Sequence, residues 1–369
     1  MNFLKKLLKR PVASATVPEF WNWFLSEQQS FFTVIQKKDD RHIHSRFLDK
    51  IVPRLHALNP RFYCETGMSD DTTAELVVSA EGDIPTFVFV EELIDAAPSL
   101  PNWKFTALKP STGIRMSIKL NGTPFDSDTI RFFYDEEPGY PDEINLTIIH
   151  EDFSEDNKNT ITQGCLLYMD ALLGELNAAT LIDDLAVGGP ADAAGRQLIP
   201  MEKLGDFLTW KEKEFVEKYE GARRNTGNDQ YAALEGEDSS GLPSIAIINT
   251  DLLDWDARAS HPWMAVVAVD YTKTKGMINK GMPGEEQFGL FNQLQEELDT
   301  LLVDSSGYLN LGRETYNGKS EIYYACREFR TVSKLIDRTI RSFEGKLACS
   351  YTIYKDKYWR TMDKYAQTL

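Results

Sequence analysis

The order of strands and helices in the last third of the chain constrains its fold more than any other feature. An apolar strand is followed by a Gly/Pro turn, an amphipathic helix, a strand hairpin, a second helix and a last strand. In chain order these predicted elements cover residues 263–271, 285–303, 308–314, 321–326, 328–343 and 347–354. This β-α-β-β-α-β order is that of the split βαβ, or ferredoxin-like, fold. The C-terminal part is therefore predicted to be a ferredoxin-like α/β sandwich.

Hydrophobic periodicity supports these assignments. In the first helix apolar residues recur every three or four positions, which is typical of one buried helix face. They are Phe288, Phe291, Leu294, Leu298, Leu301 and Leu302. Asn317-Gly318 between the two middle strands predicts a tight hairpin, because both central residues of a type I′ turn need positive φ.

The N-terminal half also alternates helices with strands. Helices are predicted over residues 18–37, 40–58, 86–97 and 160–176. Strands are predicted over residues 62–66, 75–80, 103–109, 114–120, 130–134, 144–150 and 181–187. This alternation predicts a second α+β sandwich, and one hypothesis is that it is an elaborated copy of the C-terminal unit with two leading helices. The fold class is therefore α+β, with two α/β-sandwich domains.

Composition shifts divide the chain into four parts. Residues 1–17 are a basic segment, and 18–195 form the N-terminal domain. A small-residue connector ends that domain, and small-residue stretches are typical of domain boundaries. Residues 196–220 are predicted to be a linker with a helix, and 221–369 to be the C-terminal domain.

Charge and cysteine usage exclude several classes of function. The net charge is −17, and such a surface repels phosphate backbones, so nucleic-acid binding is not expected. No apolar run is long enough to span a membrane, so no membrane association is expected. The cysteines are far apart and form no Cys-x-x-Cys pair, which is typical of a reduced cytoplasmic protein. They are Cys64, Cys165, Cys326 and Cys349. No motif indicates a metal site or a cofactor.

Short motifs in the second half resemble the bacterial family catalogued as domain of unknown function 695. They are, in chain order, Leu242-Pro-Ser-Ile-Ala-Ile-Ile-Asn249, His261-Pro-Trp263, Gly281-Met-Pro-Gly284, Gly312 with Ile322-Tyr-Tyr324, and Tyr351 with Asp356-x-x-Trp359. The resemblance covers roughly residues 210–365, and the N-terminal half is similar to the companion region that often precedes this domain. In topology the C-terminal unit is also similar to the protein inhibitor of ribonuclease E, which acts by binding an enzyme. The resemblance implies a bacterial protein, and because no activity is assigned to this family it identifies no catalytic residues in this chain.

Aromatic residues of the predicted sheet are the main candidates for a binding surface. Tyrosine and tryptophan combine a large apolar area with a polar tip, which suits protein docking. The candidate surface consists of His261, Trp263, Tyr324, Tyr351, Tyr354 and Trp359. On this interpretation the chain is a non-catalytic protein-interaction or regulatory module with a protein partner. The alternative interpretation of these rings is that the N-terminal half packs over this face of the sheet.

An enzyme is the alternative function. His261 stands at the start of the first core strand, and Asp270 or Glu285 could lie near it as an acid–base partner. A hydrolase-like site would then lie in a cleft between the two halves. A purely structural role for His261 is a further alternative. Self-association through an exposed sheet edge is another.

Overall fold

The computed structural model describes residues 16–113, 116–237, 241–273 and 281–366. Predictions on the remaining residues, chiefly the basic segment at the N-terminus and the first residues of the predicted strand 114–120, lie outside the described residues. The helices are α1 (Val17–Gln36), α2 (Asp40–Ile43), α3 (Asp49–Leu58), α4 (Ile84–Asp95), α5 (Lys158–Leu173), α6 (Glu175–Thr180), α7 (Leu204–Tyr219), α8 (Thr250–Leu253), α9 (Glu285–Leu301), α10 (Arg330–Ser342) and α11 (Asp363–Ala366). A π-helical segment, His44–Leu48, joins α2 to α3.

The strands are nearly all short. They are β1 (Tyr63–Met68), β2 (Ala74–Ser79), β3 (Trp103–Ala107), β4 (Ile118–Leu120), β5 (Thr123–Phe125), β6 (Ile130–Asp135), β7 (Asn145–His150), β8 (Asp184–Gly188), β9 (Ile199–Pro200), β10 (Tyr231–Glu237), β11 (Pro243–Asn249), β12 (Trp263–Asp270), β13 (Tyr308–Tyr316), β14 (Lys319–Cys326) and β15 (Cys349–Lys355). Helices and mainly antiparallel sheets both contribute, so the class is α+β, as predicted.

The chain forms two compact units, and both are discontinuous in sequence. The first contains the described residues up to Ile118 together with Leu166–Ala179, and the second contains the rest. The predicted domain limits at 195 and 221 both fall inside the second unit.

An aromatic core holds the first unit together. Its sheet has the order β1-β2-β3, with β1 antiparallel and β3 parallel to β2, and α4 makes the parallel crossover. Phe24 of α1 packs edge-on against Trp103 and Phe105 of β3. A capping box at Thr16 and Glu19 fixes the start of α1.

The second unit contains the sheet predicted from the C-terminal element order. Its six strands have the order β10-β11-β13-β14-β12-β15, and every neighbouring pair is antiparallel. Strands β12 to β15, with α9 and α10 between them, give the split βαβ arrangement, which confirms the ferredoxin-like prediction. The Asn317–Gly318 hairpin is also confirmed, since both residues have positive φ. Strands β11 and β10 extend this sheet beyond β13.

Two different layers cover this six-stranded sheet. Tyr324 of β14 bonds to Asp299 of α9, and Trp263 of β12 packs on Phe329, next to α10, so one face carries the two helices. The other face packs against residues 359–365, the C-terminal segment. Its core cluster consists of Ala246, Ile248, Leu252, Leu253, Met264, Val266, Leu309, Leu311, Tyr323, Ala325, Trp359, Met362 and Tyr365.

For the N-terminal half one hypothesis is wrong, and one predicted helix is present but ends earlier than expected. The strands of this half lie in separate sheets, because β6 to β9 form a second sheet with the order β8-β7-β6-β9. This arrangement does not repeat the C-terminal topology, so the hypothesis of a duplication fails. The helix predicted over 160–176 ends at Leu173, because Gly174 has φ +77° and stops α5.

Candidate functional site

The six residues predicted to form a binding surface do not share one face of the sheet. Cross-strand pairing puts Trp263, Tyr324 and Tyr351 on the face that carries the helices. Tyr354 and Trp359 pack on the opposite face. Tyr351 and Tyr354 are half-buried, and the other four residues, His261 included, are buried. The four buried residues therefore belong to the core instead of a docking surface, since the helices and the C-terminal segment cover the two faces of the sheet at these positions.

Trp359 is the anchor of the C-terminal segment. Its side chain is fully buried, and its indole Nε1 donates a hydrogen bond of 3.0 Å to the carbonyl of His261. The backbone of Trp359 has φ +57°, an uncommon left-handed conformation for a residue with a side chain. This turn lets the chain leave β15 and fold back under the sheet. Trp359 of the Asp356-x-x-Trp359 motif therefore has a structural role, since it fixes the C-terminal segment to the sheet.

His261 lies in an environment unlike that of a catalytic base. The hydroxyl of Ser260 donates to the carbonyl of Ala257, so Nδ1 of His261 is assigned as the donor to Ser260 Oγ, at 2.8 Å. Asp270 lies at the other end of β12, roughly 23 Å along the strand, where it bonds to Thr272. Burial, with a smaller effect of Arg327 and Arg223, lowers the pKa of His261 to about 3. His261 is therefore neutral near pH 7.

The lowered pKa of His261 predicts a specific loss of stability in acid. The unfolded chain takes up a proton below about pH 6.5, whereas the folded chain resists protonation until about pH 3. Stability is thus fully present above pH 6.5 and falls as pH drops toward 3. Between pH 7 and pH 5 the free energy of unfolding should decrease by about 2 kcal/mol more in the wild type than in His261→Asn. Urea unfolding at the two pH values measures this difference, and equal decreases would contradict it.

A buried group of charges fixes the segment around Trp359. The carboxylate of Asp183 lies 3.2 Å from Lys355 Nζ and 2.8 Å from Lys357 Nζ. Asp183 also accepts a hydrogen bond of 2.8 Å from the backbone N–H of Ile144. Burial lowers the pKa of Lys355 to about 8 despite the attraction of Asp183. Both lysines thus share the one carboxylate of Asp183, which indicates a structural ion cluster.

The open region of the sheet lies at the β10 side. Helix α9 packs beside β13, and β11 and β10 extend beyond it. Three large apolar side chains are exposed there: Tyr231 is 50%, Ile245 44% and Phe288 40% accessible. The resulting groove contains two pockets that share Ile247 and Arg313.

The two pockets differ in chemistry. The polar pocket has a volume of about 320 Å³ and is lined by Tyr231, Ile247, Asn292, Gln295, Glu296, Asp299, Asn310, Gly312 and Arg313. The apolar pocket has a volume of about 240 Å³ and is lined by Ile245, Ile247, Met282, Pro283, Phe288, Arg313 and Thr315. Sequence reasoning missed this groove. The only available signal was a pair of charged residues, Arg313 and Glu314, in the middle of a strand, where they must point to opposite faces.

Strand β10 ends the six-stranded sheet. Its inner side pairs with β11 over all seven residues, from Tyr231 opposite Asn249 to Glu237 opposite Pro243. No strand in the described part of the chain pairs with its outer side. Such an edge presents unpaired backbone N–H and C=O groups in a row.

Comparison with known proteins adds no identification. No protein-family model matches the chain, and no curated protein matches it. The resemblance to domain of unknown function 695 thus stays a prediction. Among the described residues no three His, Cys, Asp or Glu side chains are grouped to hold a metal ion. None of the described helices is long and apolar enough to cross a bilayer.

Proposed function

We propose that this chain is a non-catalytic protein-interaction module whose partner adds an extended segment to the outer edge of β10. The observation that carries this proposal is the seven-residue edge strand, which has no strand partner among the described residues on its outer side. Strand addition to an open edge is a recurring mode of peptide recognition, in which backbone hydrogen bonds provide affinity and side-chain contacts provide specificity.

Charge selects the kind of partner. Glu235 and Glu237 are exposed on β10, and the whole chain carries a net charge of −17. Opposite charges on neighbouring strands are favourable, whereas like charges are not. A second copy of the same acidic strand is therefore disfavoured. The partner segment is expected to carry Lys or Arg beside Glu235 and Glu237.

The apolar side chains next to the edge support the same partner. Tyr231 and Ala233 are exposed on the same face of β10 as Glu235, and Ile245 is exposed on the neighbouring strand. An added strand would place alternate side chains over this surface. On the face that it turns toward these side chains, the expected partner strand thus carries two neighbouring basic residues opposite Glu235 and Glu237, next to two apolar residues opposite Tyr231 and Ala233.

The surroundings of His261 support a non-catalytic assignment over the enzyme alternative. The ring is buried and neutral near pH 7, and its hydrogen-bonding partner is the neutral Ser260 hydroxyl. General acid–base catalysis needs a group that reaches the substrate and titrates near the working pH.

A displayed library of random linear peptides tests the proposal on the full chain. We expect enrichment of peptides in which two Lys or Arg residues two positions apart are followed or preceded, on the same face of the strand, by two apolar residues two positions apart. Their affinity should fall at least about tenfold for the double variant Glu235→Lys with Glu237→Lys, because charge reversal replaces attraction by repulsion. The effect should weaken at high salt.

Glu155→Lys is the matched control, since Glu155 is also highly exposed and lies outside the six-stranded sheet. Its affinity for the selected peptides should equal that of the wild type. The proposal fails if no peptide is enriched, or if enriched peptides bind the double variant as tightly as the control.

A further inference from the structure

The side chains that line the groove between α9 and strands β10 and β11 change from apolar to polar along its length. At one end Phe288, Met282 and Pro283 line the apolar pocket. Arg313 stands at the border of the two pockets, and Asp299 lies in the polar pocket. From the apolar pocket to the polar pocket, apolar, cationic and anionic groups thus follow one another along the groove. A ligand that matches all three needs an apolar group, an anion and a cation in close succession.

Arg313 has capacity for an anionic ligand. Its Nη1 donates to Asn292 Oδ1 at 2.8 Å and to Gln295 Oε1 at 2.9 Å, and both acceptors are neutral amides. The guanidinium also lies over the Phe288 and Phe291 rings, 5.6 and 5.7 Å from their centroids. Within the described ranges Arg313 forms no ion pair. Nε and Nη2 form the edge of a guanidinium that binds a carboxylate in bidentate fashion.

Burial shows that this arginine is not simply solvated. Burial lowers the pKa of Arg313, and the attraction of Tyr271 and Asp299 offsets only part of this decrease in pKa. A partly desolvated charge without a bonded counter-ion is unfavourable, so an incoming carboxylate gains from meeting it. The acidic surface disfavours a doubly charged phosphate in the same place.

Asp299 is held in position to receive a cation. Its Oδ1 accepts hydrogen bonds from the Tyr324 hydroxyl at 2.8 Å and from Asn310 Nδ2 at 2.7 Å. Tyr324 is fully buried, and burial raises its pKa well above the ordinary value, so its hydroxyl stays a donor. The second oxygen, Oδ2, has no donor among the described residues. A carboxylate fixed through one oxygen presents the other to an ammonium group.

Spacing along α9 brings the two charges within reach of one small molecule. Gln295, which binds the Arg313 guanidinium, is four residues before Asp299. Four residues of α-helix rise about 6 Å and bring side chains to the same face. The ammonium and carboxylate of an α-amino acid share one carbon atom, so they can bridge such a short span.

We propose that this groove binds a free α-amino acid with an apolar side chain. Its carboxylate binds the Arg313 guanidinium, its ammonium binds Asp299, and its side chain enters the pocket beside Phe288. This site lies on the face of the sheet and uses none of the charges on β10 that are assigned to the protein partner. The charges that recognise the two ligands thus differ, although Tyr231 and Ile245 line the pockets and also belong to the surface proposed for the peptide.

Isothermal titration of the full chain with L-leucine, L-methionine and L-phenylalanine tests this site. At least one of them should bind. For L-phenylalanine the matched probes are 3-phenylpropionate, which lacks the ammonium, phenethylamine, which lacks the carboxylate, and glycine, which lacks the side chain. Each probe should bind at least about tenfold more weakly than L-phenylalanine, because each loses one charged or apolar contact.

Variants then assign each charge. Arg313→Gln should make the affinity for an amino acid equal to that for the corresponding amine, and Asp299→Asn should make it equal to that for the corresponding carboxylate. Arg338→Gln and Glu297→Gln, both at exposed positions on helices, should leave all affinities unchanged. Circular dichroism and unfolding curves show that each variant is folded. The proposal is overturned if none of the three amino acids binds, or if Arg313→Gln and Asp299→Asn bind them like the controls.

Discussion

Replacing Trp359 with alanine is expected to lower the free energy of unfolding by about 3–5 kcal/mol, the range for truncating a large buried aromatic side chain. The ring is fully buried in the core cluster, and its loss leaves a cavity beside Met362 and Tyr365. The His261 carbonyl also loses its indole donor. Removal of a partner from a buried polar group adds a desolvation penalty. Urea unfolding at neutral pH measures the change.

Trp210→Ala is the matched control for this prediction. Trp210 lies on α7 with half of its side chain accessible, so its truncation should cost less than about 1 kcal/mol. If the two variants lose the same stability, the C-terminal segment does not anchor the sheet as described.

Replacing Asp183 with alanine is expected to destabilise the protein by a similar amount, about 3–5 kcal/mol, because it leaves two buried ammonium groups without their counter-ion. Lys355 and Lys357 both approach this carboxylate within 3.2 Å. Deprotonation of Lys355 removes part of the penalty. In the unfolded chain Lys355 keeps its proton until about pH 10.5, whereas in the folded variant it releases the proton at a lower pH. The loss of unfolding free energy caused by Asp183→Ala should therefore be smaller near pH 9 than near pH 7.

The neighbouring Asp184 provides the control. Asp184 is exposed and next in sequence, and Asp184→Ala should change stability by less than about 0.5 kcal/mol. Lys357→Met tests the same cluster from the cationic side. Asp183→Ala and Lys357→Met should be strongly non-additive, because each removes the same interaction. Additive losses would show that the three side chains do not act as one cluster.

Local patterns predicted the C-terminal sheet well because each of its elements is locally consistent. The period of Phe291, Leu294 and Leu298 indicates α9, and Asn317-Gly318 permits only a narrow choice of turn. Once the helices and the hairpin are assigned, few topologies satisfy right-handed crossovers between strands.

The sequence did not predict which residues pack over each face of the six-stranded sheet. Alternation along β14 assigns Tyr323 and Tyr324 to opposite faces, but it does not say what lies over either face. Trp359 covers one of them only because its backbone adopts a left-handed turn, which no propensity of tryptophan indicates. For that reason Trp263, Tyr324 and Trp359, which were predicted to contact a protein partner, are buried in the core.

The candidate groove depends on contacts between residues far apart in sequence. Arg313 meets Asn292 and Gln295 across about twenty residues, and its pocket forms only because β11 lies beside β13. The position of β10 and β11 at the outer edge of the sheet was not predicted either. A strand's rank within a sheet depends on long-range pairing, which periodicity does not report.

Hydrogen exchange of the full chain, measured with and without a selected basic peptide, tests the proposed docking to β10 most directly. We expect slower exchange of the backbone amides of Tyr231–Glu237 when the peptide is bound, because the N–H groups that point outward gain acceptors. The amides of Cys349–Lys355, at the other edge of the same sheet, should exchange at an unchanged rate. Protection confined to other segments, with no change in β10, would rule out docking of the peptide at this edge.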